Sequence, residues 1–252
     1  MATKSKPLLL TFSGIDGAGK STQIEKLHNR LLECGLKVQR LAFWDDVVVL
    51  QRFRTSITRR ILGGEQGIGE PGKPVLRNDK NARRWYLTLA RSPFYLFDVL
   101  SLRRAVRRAK STNPDVIIFD RYIYDQVAHI PDNWVGKRAR STLLNLAPKP
   151  DTAFLIDADP ELAIARKPEY PLEFVRKYRN DYFSLCSLAP EIVVVEDGTI
   201  DAVEQFIWRC AEAHLRLLVG STDSHTLPER VSPAAGENIF SSRFKPSDLT
   251  QR

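Results

Sequence analysis

The chain has 252 residues, 43% of them hydrophobic, with 38 Lys and Arg against 30 Asp and Glu and a net charge of +8. That is enough apolar material for one substantial core with a tail. The positive balance suits polyphosphate ligands and permits weak contact with nucleic acid, though a solvated basic surface accounts equally well for most of the charges. Three scattered cysteines, Cys34, Cys186 and Cys210, exclude a disulfide framework or a zinc site and read as reduced thiols. The basic start MATKSK leads into a strand-length apolar stretch with no signal-peptide core, and no run approaches membrane-spanning length. The expectation is a cytoplasmic protein with no membrane partner.

Taken in chain order, Pro7–Ser13 (PLLLTFS) is a short apolar run of the kind that forms a buried strand. It feeds Gly14–Ser21 (GIDGAGKS), which fits the phosphate-loop pattern G-x-x-x-x-G-K-[ST] at every fixed position. Ser21–Cys34 then carries apolar residues at Ile24, Leu27, Leu31 and Leu32, one face of a helix. In this order the backbone N–H groups of the loop curl inward onto phosphate oxygens, helped by Gly14, Gly17 and Gly19 and by the positive end of the helix. Gly14, Ile15, Asp16, Gly17, Ala18, Gly19, Lys20, Ser21 and Thr22 are the expected nucleotide contacts. Lys20 would reach the β- and γ-phosphates, and the Ser21 hydroxyl would ligate Mg²⁺. The bland alternative is a glycine-rich turn with a stray lysine.

Four further short apolar segments read as strands: Lys37–Phe43, Val116–Asp120, Thr152–Asp157 and Glu191–Glu196. Helical stretches separate them, the signature of a mostly parallel sheet covered on both faces. Gln51–Lys110 is mainly helical, broken by the glycine-rich loop Gly63–Pro74 and kinked or interrupted at Pro93. From Gly220 onward polar and turn residues dominate and periodicity is lost, so residues 219–252 read as a flexible tail with one docking spot at Ile239 and Phe240. The densest basic run, Arg103–Arg108 (RRAVRR), has no aromatic platform beside it and reads as a solvated helix face rather than a nucleic-acid surface.

Asp120, at the end of VIIFD, is the second informative position. A carboxylate at the tip of a buried strand beside a phosphate loop is suited to hold Mg²⁺ or its waters, and the next residue, Arg121, to hold phosphate oxygens in a planar fork. A structural cap is the competing reading of Asp120. Asp16 is unusual, because a carboxylate among phosphate-binding amides repels the triphosphate. Either a second ligand meets it, or it bonds to the loop's own backbone.

LLLTFSGIDGAGKSTQ, DVIIFDRY and LIDADPELAIAR followed by a Tyr-rich helix resemble the thymidylate kinases, discontinuously from about Leu8 to Trp208. The resemblance implies an α/β phosphate-loop kinase fold over residues 1–218, three layers with a five-stranded parallel sheet flanked by helices. It also implies ATP and Mg²⁺ as cofactors, transfer of the γ-phosphoryl group to the 5′-phosphate of dTMP, and a homodimer formed through helices. By the same resemblance Asp16 touches the acceptor's sugar, and Gly198 and Thr199 lie where the adenine-contacting loop would be. Arg166 belongs to an arginine lid, here a short ARKPEYPLEF segment with two prolines. Lys20, Asp16, Arg121 and Arg166 are the expected catalytic set, with Lys167, Arg176 and Arg179 behind Arg166. Ser21 and Asp120 are the expected metal ligands.

On the acceptor side the chain departs from the family pattern. LAFWDDVVVL stands where an Arg-Glu-Pro-Gly-Gly segment is usual, and GEPGK at Gly69–Lys73 lies far downstream. Phe97 is followed four residues on by Ser101 rather than arginine, and Asp125, Gln126 and Ile130 replace the usual paired serines and glutamine. Arg52, Arg54, Arg59 and Arg91 are replacement candidates for the acceptor phosphate, and Trp85, Phe94 and Phe97 for stacking on a base. Two other readings therefore stay open. One is a kinase of another acceptor, such as a nucleoside, with Asp125 and Tyr124 as base and orienter. The other is a non-catalytic nucleotide sensor that binds a protein or RNA.

Overall fold

The computed structural model describes residues 6–47 and 85–220, with the side chains of 85–93 and 218–220 left aside. Five strands form one sheet in the order β2-β3-β1-β4-β5, and every pairing is parallel. They are β1 (Leu8–Ser13), β2 (Val38–Ala42), β3 (Val116–Asp120), β4 (Thr152–Ile156) and β5 (Ile192–Val195). Each expected strand is present, shorter by up to a residue at its ends. The three inner strands are almost wholly buried, whereas the edge strands β2 and β5 are half-buried. Helices cover both faces of a parallel sheet, so inner strands read as continuous apolar runs, while Gln39 and Arg40 are tolerated at the edge.

The helices are α1 (Lys20–Glu33), α2 (Trp85–Ser111), α3 (Ile123–Val127), α4 (Trp134–Leu146), α5 (Pro160–Arg166), α6 (Leu172–Phe183) and α7 (Ile200–Gly220). A single π-type turn, Phe43–Val47, follows β2. In α1, Ile24, Leu27 and Leu31 are at most 2% exposed, but Leu32 is 49% exposed and leaves the expected apolar face. It lies one residue, about 100°, beyond Leu31 around the helix. The interruption expected at Pro93 is not there, since α2 continues through it. An interior proline costs a helix about 3 kcal/mol; here Val99, Leu102, Val106 and Ala109 bury the following turns in the core. Arg104, Arg107 and Arg108 are exposed on the opposite side, as a solvated face requires.

α7 packs on α1 through Lys26 and Arg30, both paired with Glu204, and through the Arg30 guanidinium 4.2 Å above the Trp208 ring. Val219 and Gly220, assigned to the tail from the sequence, are the last residues of α7. The rest of the expected tail, with Ile239 and Phe240, lies outside the described residues, as do the Gly63–Pro74 loop, Arg52, Arg54 and Arg59.

Candidate active site

Parallel strands place their carboxyl ends on one rim of the sheet, and β1 sits where the chain order reverses, with β3 on one side and β4 on the other. Phe12 is in register with Asp120 and Ser13 with Leu155. The loop leaving β1 therefore emerges beside the Asp120–Arg121 turn and beside the end of β4.

The Gly14–Gly19 loop has the geometry its glycines imply. Gly17 and Gly19 adopt φ of 84° and 87°, in the left-handed region. At Gly17 space is limiting as well, because a Cβ there would meet the Ala163 carbonyl oxygen of α5 at 2.3 Å. Lys20 opens α1 and is 7% exposed; its Nζ donates to the carbonyl oxygens of Gly14 (2.9 Å) and Ile15 (2.7 Å). Burial, then the Arg121 charge, lower the Lys20 ammonium to a pKa of about 8, against the opposing pull of Asp16, Asp125 and Asp120. Ser21 and Thr22 are exposed on the first turn of α1, and Asp120 is half-buried at the tip of β3.

Arg121 has φ 64°, rare for a residue with a side chain, and its N–H donates to the Phe12 carbonyl at 2.9 Å. Its guanidinium lies between two carboxylates. Nη2 donates to Asp16 and Nη1 to Asp125 at 2.8 Å. Asp16 pairs with Arg121, with Lys20 Nζ 3.9 Å away. Burial pushes the Asp16 carboxyl upward, but the charges of Arg121, Lys20 and Lys167 outweigh it and hold its pKa below 3.8. Burial likewise opposes the Arg121 charge, and Asp125 and Asp16 overcome it, raising its pKa above the ordinary value.

Asp125 is 0% exposed. It accepts from Arg121 and Tyr182 at Oδ1, and from the Ser13 hydroxyl and the Tyr122 N–H at Oδ2. With its acceptor sites filled and no exposure, it is not available as a general base, and Tyr124 donates to Glu191 at 2.8 Å rather than orienting it. The base-and-orienter pair expected for a hydroxyl acceptor does not assemble. Sequence reasoning passed over Asp125 as a ligand of Arg121, although the i, i+4 spacing in Arg121-Tyr-Ile-Tyr-Asp125 was the available signal.

Of the lid cations, Arg166 bonds to the loop directly, its Nη1 donating to the Gly17 carbonyl at 3.3 Å. Lys167 pairs with Glu169, Arg176 with Glu161 and Glu173, and Arg179 with both oxygens of Asp157 at 2.6 Å. Thr199 accepts from the Ala202 N–H at 3.3 Å and so begins α7, and the Gly198 N–H donates to the Asp197 carboxylate at 3.0 Å. Phe97 is 60% exposed and Phe94 half-buried; the side chains of Trp85 and Arg91 lie outside the described residues. Among the described residues no group of three or more His, Cys, Asp or Glu gathers to hold a metal, and no helix is long and apolar enough to cross a membrane.

No protein-family model matches the chain. It is similar to a thymidylate kinase of Caenorhabditis elegans, 30% identical over 227 residues, covering 84% of this chain and 94% of the relative. A thymidylate kinase of Acholeplasma laidlawii is 28% identical over 216 residues, 79% of this chain and 96% of its own. A probable thymidylate kinase of Methanosphaera stadtmanae is 25% identical over 207 residues, 79% of this chain and 93% of its own.

Proposed function

The chain belongs to the thymidylate kinase family, and we propose that it transfers the γ-phosphoryl group of ATP to the 5′-phosphate of dTMP, with residues 1–218 as the catalytic unit. One observation carries the reading. Lys20 and the loop amides from one segment and Arg121 from a second meet at the rim where β1 and β3 end, and Arg166, from a third, closes on the same loop.

Phosphoryl transfer asks a protein for positioning and for charge to match that developing on the transferred group, with little covalent work of its own. The amides of Gly14 to Thr22 and the Lys20 ammonium hold the donor phosphates. For Lys20 this means exchanging the two loop carbonyls, at 2.9 and 2.7 Å, for phosphate oxygens. Arg121 forks onto phosphate oxygens between donor and acceptor, while Asp16, freed from it, accepts from the sugar hydroxyl of the acceptor. Arg166 supplies the outer positive charge, because Arg176 and Arg179 are already paired. Ser21 and Asp120 are hard oxygen donors of the kind Mg²⁺ requires, and both belong to the rim that holds Lys20, which feels the Asp120 charge. Bound there with the nucleotide, the ion neutralises phosphate charge.

We place the enzyme in the cytoplasm, working as a homodimer, with free nucleotides rather than nucleic acid as its substrates. The closing test has two parts. Thermal shifts are recorded against a panel of nucleosides and nucleoside monophosphates, with and without a non-hydrolysable ATP analogue, since ligands of the native state raise its apparent stability. ADP release is then followed for each acceptor. The expected result is a dTMP-dependent shift and turnover. Turnover on nucleosides alone, or ATP affinity without turnover on any acceptor, would overturn the assignment.

A further inference from the structure

Asp125 is the most completely bonded charged group in the described site, and its bonds converge on a single functional residue. Its two oxygens accept four hydrogen bonds: Ser13 Oγ at 2.6 Å, Tyr182 OH at 2.7 Å, Arg121 Nη1 at 2.8 Å and the Tyr122 N–H at 3.1 Å. A carboxylate offers about four lone-pair positions, so this one is saturated. Its donors come from β1, from the turn after β3 and from α6, three elements held in place by the core. A carboxylate tied at four points has little freedom to turn, and the guanidinium bonded to it inherits that fixed direction.

Arg121 carries a second mark of a constrained role. Its φ of 64° is a conformation that a residue with a side chain adopts only when its surroundings impose it. The two carboxylates that flank Arg121 are unequal. Asp16 is 24% exposed and stands on the loop, whereas Asp125 is 0% exposed beneath the guanidinium. Asp16 is thus the partner open to an incoming phosphate, and Asp125 the one shielded from it.

We infer that Asp125 is a positioning residue for phosphoryl transfer: it fixes the Arg121 guanidinium from below, so that the opposite edge is presented to phosphate oxygens when Asp16 gives way. This rests on the assignment of Arg121 to the phosphates made above. Two effects of the Asp125 charge oppose each other. It orients Arg121, which favours the chemical step, and it partly neutralises Arg121, which weakens ground-state attraction for phosphate. Loss of the charge therefore lowers kcat without a matching rise in KM for the acceptor.

The test is a double-mutant cycle over Asp125→Asn and Arg121→Ala, with ATP and dTMP as substrates. Outer groups that orient a functional residue typically cost roughly 10- to 100-fold in activity when altered, and Asp125→Asn is expected to lower kcat by that factor while KM for dTMP changes by less than about threefold. Repeated in the Arg121→Ala background, Asp125→Asn is expected to have almost no further effect, since a residue that acts through another loses its influence when that other is removed. Equal factors in both backgrounds, or an unchanged kcat, would overturn the inference. If Arg121→Ala itself leaves turnover intact, the assignment of Arg121 to the phosphates fails instead, and the inference with it. Should Asp125→Asn not fold, Tyr182→Phe decides. It removes one of the four donors and leaves Arg121 untouched, and kcat is expected to fall several-fold in the wild-type background and not in Arg121→Ala; equal behaviour in the two would refute the positioning role.

Discussion

Arg166 donates through Nη1 to the carbonyl oxygen of Gly17 at 3.3 Å, across 149 residues of sequence. The loop position it touches is one where a side chain has no room, and α5 brings a cation to it from outside the loop. Arg166 is exposed and bonds to backbone. Arg166→Ala is therefore expected to leave the circular dichroism spectrum and thermal midpoint unchanged while lowering kcat by about 10²–10³-fold, the usual cost of removing one preorganised charge from a transition state. Steady-state kinetics with saturating ATP and dTMP make the comparison, and a kcat within twofold of wild type would remove Arg166 from the mechanism.

Gly17 and Gly19 have nearly the same φ and differ in surroundings. A Cβ on Gly17 would press on the Ala163 carbonyl at 2.3 Å, whereas nothing lies within 4 Å of one on Gly19. Gly19→Ala should cost only the left-handed strain of about 1–2 kcal/mol. Gly17→Ala must also push α5 off the loop, and a loss beyond about 3 kcal/mol is expected because backbone on both sides has to shift. Urea unfolding of the two variants separates the effects, and equal losses would contradict the close approach.

Lys20 is cationic below its pKa of about 8 and neutral above it. Its affinity for phosphate should follow the same sign, so kcat/KM for ATP, which reports the free enzyme, is expected to fall as pH rises through about 8. Nucleotide phosphates favour the charged form, so the corresponding limb in kcat should lie at higher pH. Lys20→Ala is expected to reduce turnover by at least about 10²-fold in an ADP-release assay, by the same charge argument. A profile of kcat/KM that stays level from neutral pH to well above the limb would refute the role.

The seam between α1 and α7 contains both a surface ion-pair cluster and a buried ring. Trp208 is 8% exposed beneath Arg30, while Lys26 reaches Glu204 and Asp201 from the outside. Trp208→Ala should cost about 3–5 kcal/mol, as large-to-small core changes do. Glu204→Gln should cost less than about 1 kcal/mol, because its ion pairs are half-exposed and partly screened by solvent. A larger loss for Glu204→Gln than for Trp208→Ala would reverse this ranking.

Local features were legible in the residues alone. The strands announce themselves as apolar runs because a sheet covered on both faces leaves no room for alternation. Gly17 and Gly19 mark a backbone that only glycine enters easily. α2 was harder, because a proline's effect depends on what the following turns bury, and Val99 and Leu102 bury deeply. Leu32 was misplaced by one helical position, a difference that packing decides.

The phosphate loop, its strand and helix, and the parallel sheet around them follow from the order of the residues, since each is encoded by neighbours a few residues apart. How Asp16, Arg121 and Asp125 bond to one another depends on the folded chain as a whole. Asp16 and Arg121 are 105 residues apart and Ser13 and Asp125 are 112 apart, yet the register that sets Phe12 against Asp120 brings all four together. Charge pairing depends on distance through space, and that distance is fixed by how buried strands align rather than by the spacing of letters along the chain.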